Sequence, residues 1–305
     1  MSKIGDLLRK HLNFFVPYST ARDDFKGDRG IFLDANENAL GSVISENWNR
    51  YPDPRQSHLK QVMGKIKGIA PECIFMGNGS DEPIDLLIRA FCEPGIDEVM
   101  IFPPTYGMYK VAANINNVSV NEVLLTQDFQ LDMTQIKSAL NDHVKIIFIC
   151  SPNNPTGNLI QVQDIWDLAT VFKGIIVIDE AYIDFTDTPS WIEVLSNFPH
   201  LVVLQTLSKA WGLASLRLGM AFCHPKIVDV LNLIKPPYNI SGPVQNHVLK
   251  ALKHEDQMRL FVEDIKELKK ELGLALEQLP IVLKVYPSET NFFLVKFKEV
   301  QEVFQ

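Results

Sequence analysis

Lys145-Ile146-Ile147-Phe148-Ile149-Cys150 runs straight into Ser151-Pro152-Asn153-Asn154-Pro155-Thr156-Gly157. The first segment is apolar at nearly every position, as expected for a strand covered on both faces. The second is made of turn formers, so a buried strand ends abruptly at a rigid loop. Outward from this point the pattern repeats. Short apolar runs stand at Cys73–Met76, Val99–Phe102, Ile175–Ile178 and Leu201–Gln205, and helical stretches such as Pro83–Phe91 and Val162–Phe172 lie between them. The alternation predicts an α/β fold with a mostly parallel central sheet and a site in the loops at the strand C-termini.

The flanks read differently. Residues 1–40 predict a short helix and a polar, irregular arm, 41–245 the large α/β domain, and 246–305 a smaller α+β domain. In the last part Phe261, Ile265, Leu268, Leu272 and Leu276 recur at helical spacing. Two strand candidates follow, Ile281–Tyr286 and Asn291–Phe297, and Lys298–Gln305 opens like a helix.

Composition narrows the function. The 305 residues carry 29 basic and 37 acidic side chains, a net charge of −8, with no long basic block. Such a surface repels nucleic acid and anionic membranes, so neither is an expected partner. The four cysteines show no CxxC spacing and the seven histidines no HExxH pairing, so neither a disulfide framework nor a metal site is expected. The N-terminal stretch lacks the apolar core of a signal peptide, and no run is long enough to span a bilayer. A soluble, cytoplasmic protein is the expectation.

Four local strings carry chemistry, and each has a duller reading. Gly77-Asn78-Gly79-Ser80-Asp81-Glu82-Pro83 follows a strand and opens a helix, where free amides favour a phosphate; it also reads as an ordinary turn. It matches neither a Walker loop nor GxGxxG, which argues against a nucleotide-binding oxidoreductase. Asn154, in the turn after Cys150, could offer an amide donor to an oxyanion. Asp179, heading Asp179-Glu180-Ala181-Tyr182 at the end of an apolar strand, is costly there unless it meets a cation; capping the next element is the alternative. Lys209, in Thr206-Leu207-Ser208-Lys209, follows another apolar strand. It reads as a partly buried amine nucleophile beside Arg217, or as one more surface lysine. Ser208 and Arg217 could hold a phosphate, the arginine through its planar fork of donors.

In this order, NNPTG, then DEAY, then TLSKA with a downstream arginine, the series resembles the fold-type-I aminotransferases that use pyridoxal phosphate (PLP). Within them, Pro17-Tyr18 before Ala21-Arg22, Asp34-Ala35-Asn36-Glu37-Asn38, Arg50-Tyr51-Pro52-Asp53 and the GNGSDE loop resemble the histidinol-phosphate aminotransferases. The resemblance implies a fold-type-I PLP-dependent transferase, with helices on both faces of the sheet and a smaller α+β domain. It also implies that Lys209 binds the cofactor covalently and shuttles a proton, and that Asp179 pairs with the pyridine nitrogen. Tyr182 and Asn154 would contact the phenolic oxygen, and Tyr106 would stack on the ring. The phosphate would be held by the amides of Gly79, Ser80 and Asp81, with Thr206, Ser208 and Arg217 around it and the Asp81 carboxylate turned away.

Tyr51 is similar to a residue that reaches the phosphate of the neighbouring subunit, which implies a homodimer. Tyr18 and Asn36, with Asn154, would lie near the substrate. The implied reaction transfers an amino group from glutamate to imidazole-acetol phosphate, giving L-histidinol phosphate and 2-oxoglutarate, a step of histidine biosynthesis. Family members continue past residue 305 with a strand and helix bearing arginines, so the chain is expected to lack a C-terminal part, and substrate turnover does not follow from the resemblance alone. An aromatic aminotransferase, a threonine-phosphate decarboxylase, and a PLP-binding remnant without turnover stay open as alternatives.

Overall fold

Seven strands make the central sheet of this computed structural model, which describes residues 4–16, 35–44 and 48–304. They are β1 (Ile74–Asn78), β2 (Glu98–Ile101), β3 (Ser119–Glu122), β4 (Val144–Cys150), β5 (Ile175–Asp179), β6 (Leu201–Thr206) and β7 (Leu218–Cys223). Their order across the sheet is β1-β7-β6-β5-β4-β2-β3. All neighbours are parallel except at β7, which runs antiparallel to both β1 and β6. The five strands expected in this sheet form, each end within two residues of the expected one, whereas the later candidate Asn291–Phe297 forms only over Val295–Phe297.

Two strands escaped the sequence reading. β3 sits at the sheet edge, is polar and is only partly buried, so it lacks the apolar run that marks the inner strands. β7 follows β6 through the lysine loop with no helical crossover, which only an antiparallel strand can do.

Strand side chains alternate between two cores. On one face Ile147, Ile149, Ile176, Ile178 and Val203 pack with Leu59 and Met63 of α2 (Ser57–Lys67), reached after α1 (Ile4–Leu7). On the other face Ile146, Phe148, Val177 and Leu204 pack with Leu87 and Phe91 of α3 (Asp81–Phe91) and Tyr109 of α4 (Met108–Ile115). The helices α5 (Met133–Ala139), α6 (Val162–Val171) and α8 (Gly242–Ala251) extend the first layer, and α7 (Pro225–Ile234) the second. Helices therefore cover both faces. Each fully buried isoleucine in these layers stabilises the fold by about 1.5–3 kcal/mol.

Beyond the sheet lie α9 (Glu255–Glu277), the antiparallel pair β8 (Val282–Val285) and β9 (Val295–Phe297), and α10 (Val300–Phe304). The long helix forms where the spacing predicted, yet the covered face differs. Phe261, Leu268 and Leu272 are exposed, and the buried residues are Met258, Val262 and Gly273. The reason is contact geometry. Met258 and Val262 pack on Tyr182 and Phe185, while a Cβ on Gly273 would come within 3.0 Å of Phe293. Thus α9 rests directly on the turn after β5.

Candidate active site

The reversed strand decides where the chemistry gathers. Strands β1, β4, β5 and β6 end at one edge of the sheet, and β7 begins there. One cavity consequently collects Gly79, Ser80 and Asp81 after β1, Asn154 after β4, and Asp179 with Tyr182 after β5. It also collects Thr206, Ser208 and Lys209 from β6 and its loop, Arg217 ahead of β7, and Tyr106 just before α4.

The cup around Gly79 is shaped by close backbone approach. Gly79 has φ +68°, a conformation that suits glycine, and its amide donates to the Arg217 carbonyl at 2.8 Å. Gly219, paired with Gly77 across β1 and β7, is packed so tightly that an added Cβ would lie 2.3 Å from the Ser80 nitrogen. The expectation that the Gly79 amide serves a phosphate is therefore corrected, because that donor is already bound to Arg217. The amides of Ser80 and Asp81 stand at the start of α3, where a helix leaves its first donors without internal partners.

Asp81 also departs from expectation. Its carboxylate is not turned away. It accepts from the Tyr106 hydroxyl at 3.0 Å and from the Arg217 guanidinium at 3.4 Å. The attraction of Arg217 draws the carboxylate into the cup, and the half-buried Tyr106 holds it there. Burial and then the Asp81 charge push the Tyr106 phenol upward, so it stays a donor. In the same cavity Thr206 accepts from the Ser208 amide at 3.1 Å, which fixes the loop leading to Lys209.

Asp179 lies at the floor, 2% exposed. Burial pushes its carboxyl up to about 6, against the pull of the Tyr109 hydroxyl and the Ala181 amide, which donate at 2.8 and 3.1 Å. Tyr109 was not singled out from the sequence, because a tyrosine on the inner face of a helix reads as core. Its phenol is also held well above the usual value, chiefly by burial, so it donates and does not ionise. Cys150, which its apolar run marks as a small hydrophobe, lines the same wall.

Tyr182 is buried and its phenol is pushed up to about 12, chiefly by burial; it accepts from the Asn154 side-chain amide at 3.5 Å. The Lys209 ammonium stands 5.3 Å from the centre of the Tyr182 ring. Lys209 is exposed at the rim of the cavity, where partial burial had been expected, because the loop from Ser208 to Gly212 carries it away from the sheet.

Two predicted residues lie elsewhere. Asn36 and Tyr51 line a separate groove, with Tyr51 stacked on Tyr238 at a ring separation of 4.5 Å. Tyr18 lies outside the described residues, as do Pro17, Ala21, Arg22 and Asp34 of the N-terminal strings. The described cysteines are all free, and among the described residues no helix is long and apolar enough to cross a membrane.

A mostly parallel sheet with one reversed strand, and a lysine, a buried carboxylate and an arginine-backed cup on its C-terminal edge, define a fold-type-I transferase. Comparison with known proteins carries the assignment further. The profile of the family "Aminotransferase class I and II" matches residues 24–305. The histidinol-phosphate aminotransferase of Cytophaga hutchinsonii is 50% identical over 301 residues, 99% of this chain and 86% of that protein. The crystal structure of the histidinol-phosphate aminotransferase from Clostridium acetobutylicum superposes with a TM-score of 0.75 at 25% identity, covering 82% of this chain and 75% of that one. That of the Sinorhizobium meliloti enzyme, in complex with pyridoxal-5'-phosphate, gives 0.77 at 22% identity, covering 87% and 75%, and speaks to the fold. The chain belongs to the class I and II aminotransferases.

Proposed function

We propose that this protein is a PLP-dependent transaminase acting on L-histidinol phosphate and 2-oxoglutarate, in the biosynthetic direction on imidazole-acetol phosphate and glutamate. The observation that carries the cofactor is the placement of Lys209 and the buried Asp179 in one cavity with an arginine-backed cup. The substrate rests on the 50% identity to a histidinol-phosphate aminotransferase over nearly the whole chain.

The residues present fit the cofactor. Among the described residues no cation pairs with the buried Asp179 carboxylate, which suits a protonated pyridine nitrogen. When bound, PLP supplies an electron sink for charge developing at the substrate α-carbon. Asp179 holds the proton on the ring nitrogen, and Tyr109 and Ala181 orient its carboxylate. Tyr182 and Asn154 address the phenolic oxygen, and Tyr106 faces the ring. The Ser80 and Asp81 amides, with Ser208 and Arg217, bind the phosphate, and Arg217 then shares its fork between that anion and Asp81. Lys209 would hold the cofactor through its amine and, once the substrate amine displaces it, the freed amine would carry the proton between the substrate α-carbon and C4′.

The resemblance further supports a homodimer in which Tyr51 serves the partner's site, and its exposure leaves it free to do so. Mixing inactive Tyr51→Ala and Lys209→Ala subunits should restore activity through hybrids that hold one intact site. No restoration would refute the shared site. Residues 41–245 are read as the cofactor-binding unit and 246–305 as part of a smaller domain. A cytoplasmic location accords with the biosynthetic role.

The test of function is the visible spectrum of the PLP-loaded protein with L-histidinol phosphate. Conversion to the pyridoxamine form, absent with phenylalanine, supports the assignment. Carbon dioxide released from threonine phosphate, or no conversion at all, would overturn it.

A further inference from the structure

Glu180 follows Asp179, and consecutive residues at a strand end face opposite sides of the sheet. Asp179 points into the cavity. Glu180 points behind it and is 1% exposed. Three donors converge on its carboxylate: the Ser190 hydroxyl at 2.6 Å, the Trp191 amide at 2.7 Å and the Gln205 side-chain amide at 2.8 Å. Gln205 lies on β6, four residues before Lys209, with its neighbour Thr206 in the cavity. The ladder between β5 and β6 ends at the Asp179–Leu204 pair, and the Glu180 amide adds one bond to the Leu204 carbonyl at 2.8 Å. The Glu180–Gln205 bond extends that join on the hidden face.

We infer that Glu180, through Gln205 and Ser190, is a positioning residue that clamps the ends of β5 and β6 from behind and so sets Asp179 against Lys209. The inference rests on the functional reading of those two residues. Burial pushes the Glu180 carboxyl up to about 7, with the three donors and the more distant Lys67 of α2 pulling the other way. Lys67 itself pairs with Asp184 at 3.5 Å. An amide in place of the Glu180 carboxyl can still join the two strand ends, although it cannot accept from both Ser190 and Gln205. The Gln205 side-chain oxygen is buried with no partner among the described residues. In Glu180→Gln the new amide donates to it after a rotation of the Gln205 amide, and the remaining oxygen keeps the Trp191 bond.

The experiment compares Glu180→Gln, Glu180→Ala and Gln205→Met in two states. In the cofactor-free protein, hydrogen exchange at the Glu180 and Ala181 amides should quicken about tenfold in Glu180→Ala and stay within about twofold of wild type in Glu180→Gln. In the PLP-loaded protein, kcat with L-histidinol phosphate should fall about tenfold in Glu180→Ala with KM little changed, and the pH midpoint of the cofactor's visible band should move. Glu180→Gln should restore both. If Glu180→Ala does not fold, Gln205→Met, which cuts the strand-to-strand bond and the longer 3.3 Å bond to Ser190 but leaves the carboxylate with Ser190 and Trp191, carries the same comparison. Wild-type exchange rates and an unmoved band midpoint in the folded Ala or Met variant would overturn the clamp, and so would equal damage in the Gln and Ala variants. Failure of the wild-type protein to bind PLP or transaminate would instead overturn the functional reading, while the exchange data still decide the clamp.

Discussion

Tyr109→Phe removes one fully buried hydroxyl, and its effect should depend on pH. The Tyr109 hydroxyl donates at 2.8 Å to Asp179, whose only other donor among the described residues is the Ala181 amide at 3.1 Å. A bond to an ionised partner is worth about 1.5–3 kcal/mol and one to a neutral partner about 0.5–1.5 kcal/mol. The difference, about 1 kcal/mol, moves the Asp179 titration upward by a little under one pH unit. The direction of the stability effect follows. Burial already raises the folded carboxyl from the ordinary 3.8 to about 6. Its stabilising contribution is therefore complete below about pH 4 and is lost as pH rises through 6. In the variant that loss continues to higher pH. Urea denaturation of cofactor-free wild type and variant should show a deficit of about 0.5–1.5 kcal/mol at pH 5, growing by about 1 kcal/mol at pH 8. A carbon-13 titration of the Asp179 carboxyl measures the shift directly. Equal deficits at both pH values, with an unmoved Asp179 titration, would refute the claim that Tyr109 holds the ionised carboxylate.

Three further outcomes are expected. Lys209→Ala should yield no borohydride-trapped lysine adduct of PLP, while residual phosphate contacts leave some cofactor bound noncovalently; a trapped lysine would sink that role. Arg217→Gln loses the charged fork facing the cup and should raise the dissociation constant for PLP about 10- to 100-fold by fluorescence titration, with little change in the melting temperature. Asp179→Asn removes a carboxyl that burial disfavours, so stability at pH 8 should hold or rise, whereas the half-reaction measured by stopped flow should slow by at least about 100-fold. Near-normal rates in that folded variant would remove Asp179 from the electron-sink role.

The fold was legible where burial leaves a continuous signature. β4, β5 and β6 are covered on both faces, so the side chains along their middles, on either face, are apolar and the runs stand out. β3 carries no such demand and is invisible. The face that α9 covers was misread for a different reason. Periodicity marks a stripe of apolar side chains, but Gly273 under Phe293 and Met258 with Val262 over Tyr182 choose another stripe by shape. Only the partner surfaces settle that.

The site was legible as a set of residues and much less so as a set of contacts. Asp179 and Lys209 announce themselves because each is a polar residue at or just beyond the end of an apolar strand, where a ligand must justify it. Asp81 does not. Its orientation depends on Tyr106, 25 positions away, and on Arg217, 136 positions away, which meet only because β7 runs against its neighbours. Had β7 been parallel, Arg217 would open the strand at the far edge of the sheet, and the cup would have no cation. The antiparallel strand, which the α/β alternation failed to predict, is thus the feature that turns a series of strand-end loops into one anion-binding cavity. The same reversal brings Gly219 against Gly79 and Ser80, where only a hydrogen in place of a side chain fits. The arginine and the glycine are two residues apart because one short strand both delivers the charge to the cup and lets the Gly79–Ser80 backbone that forms its wall pack close.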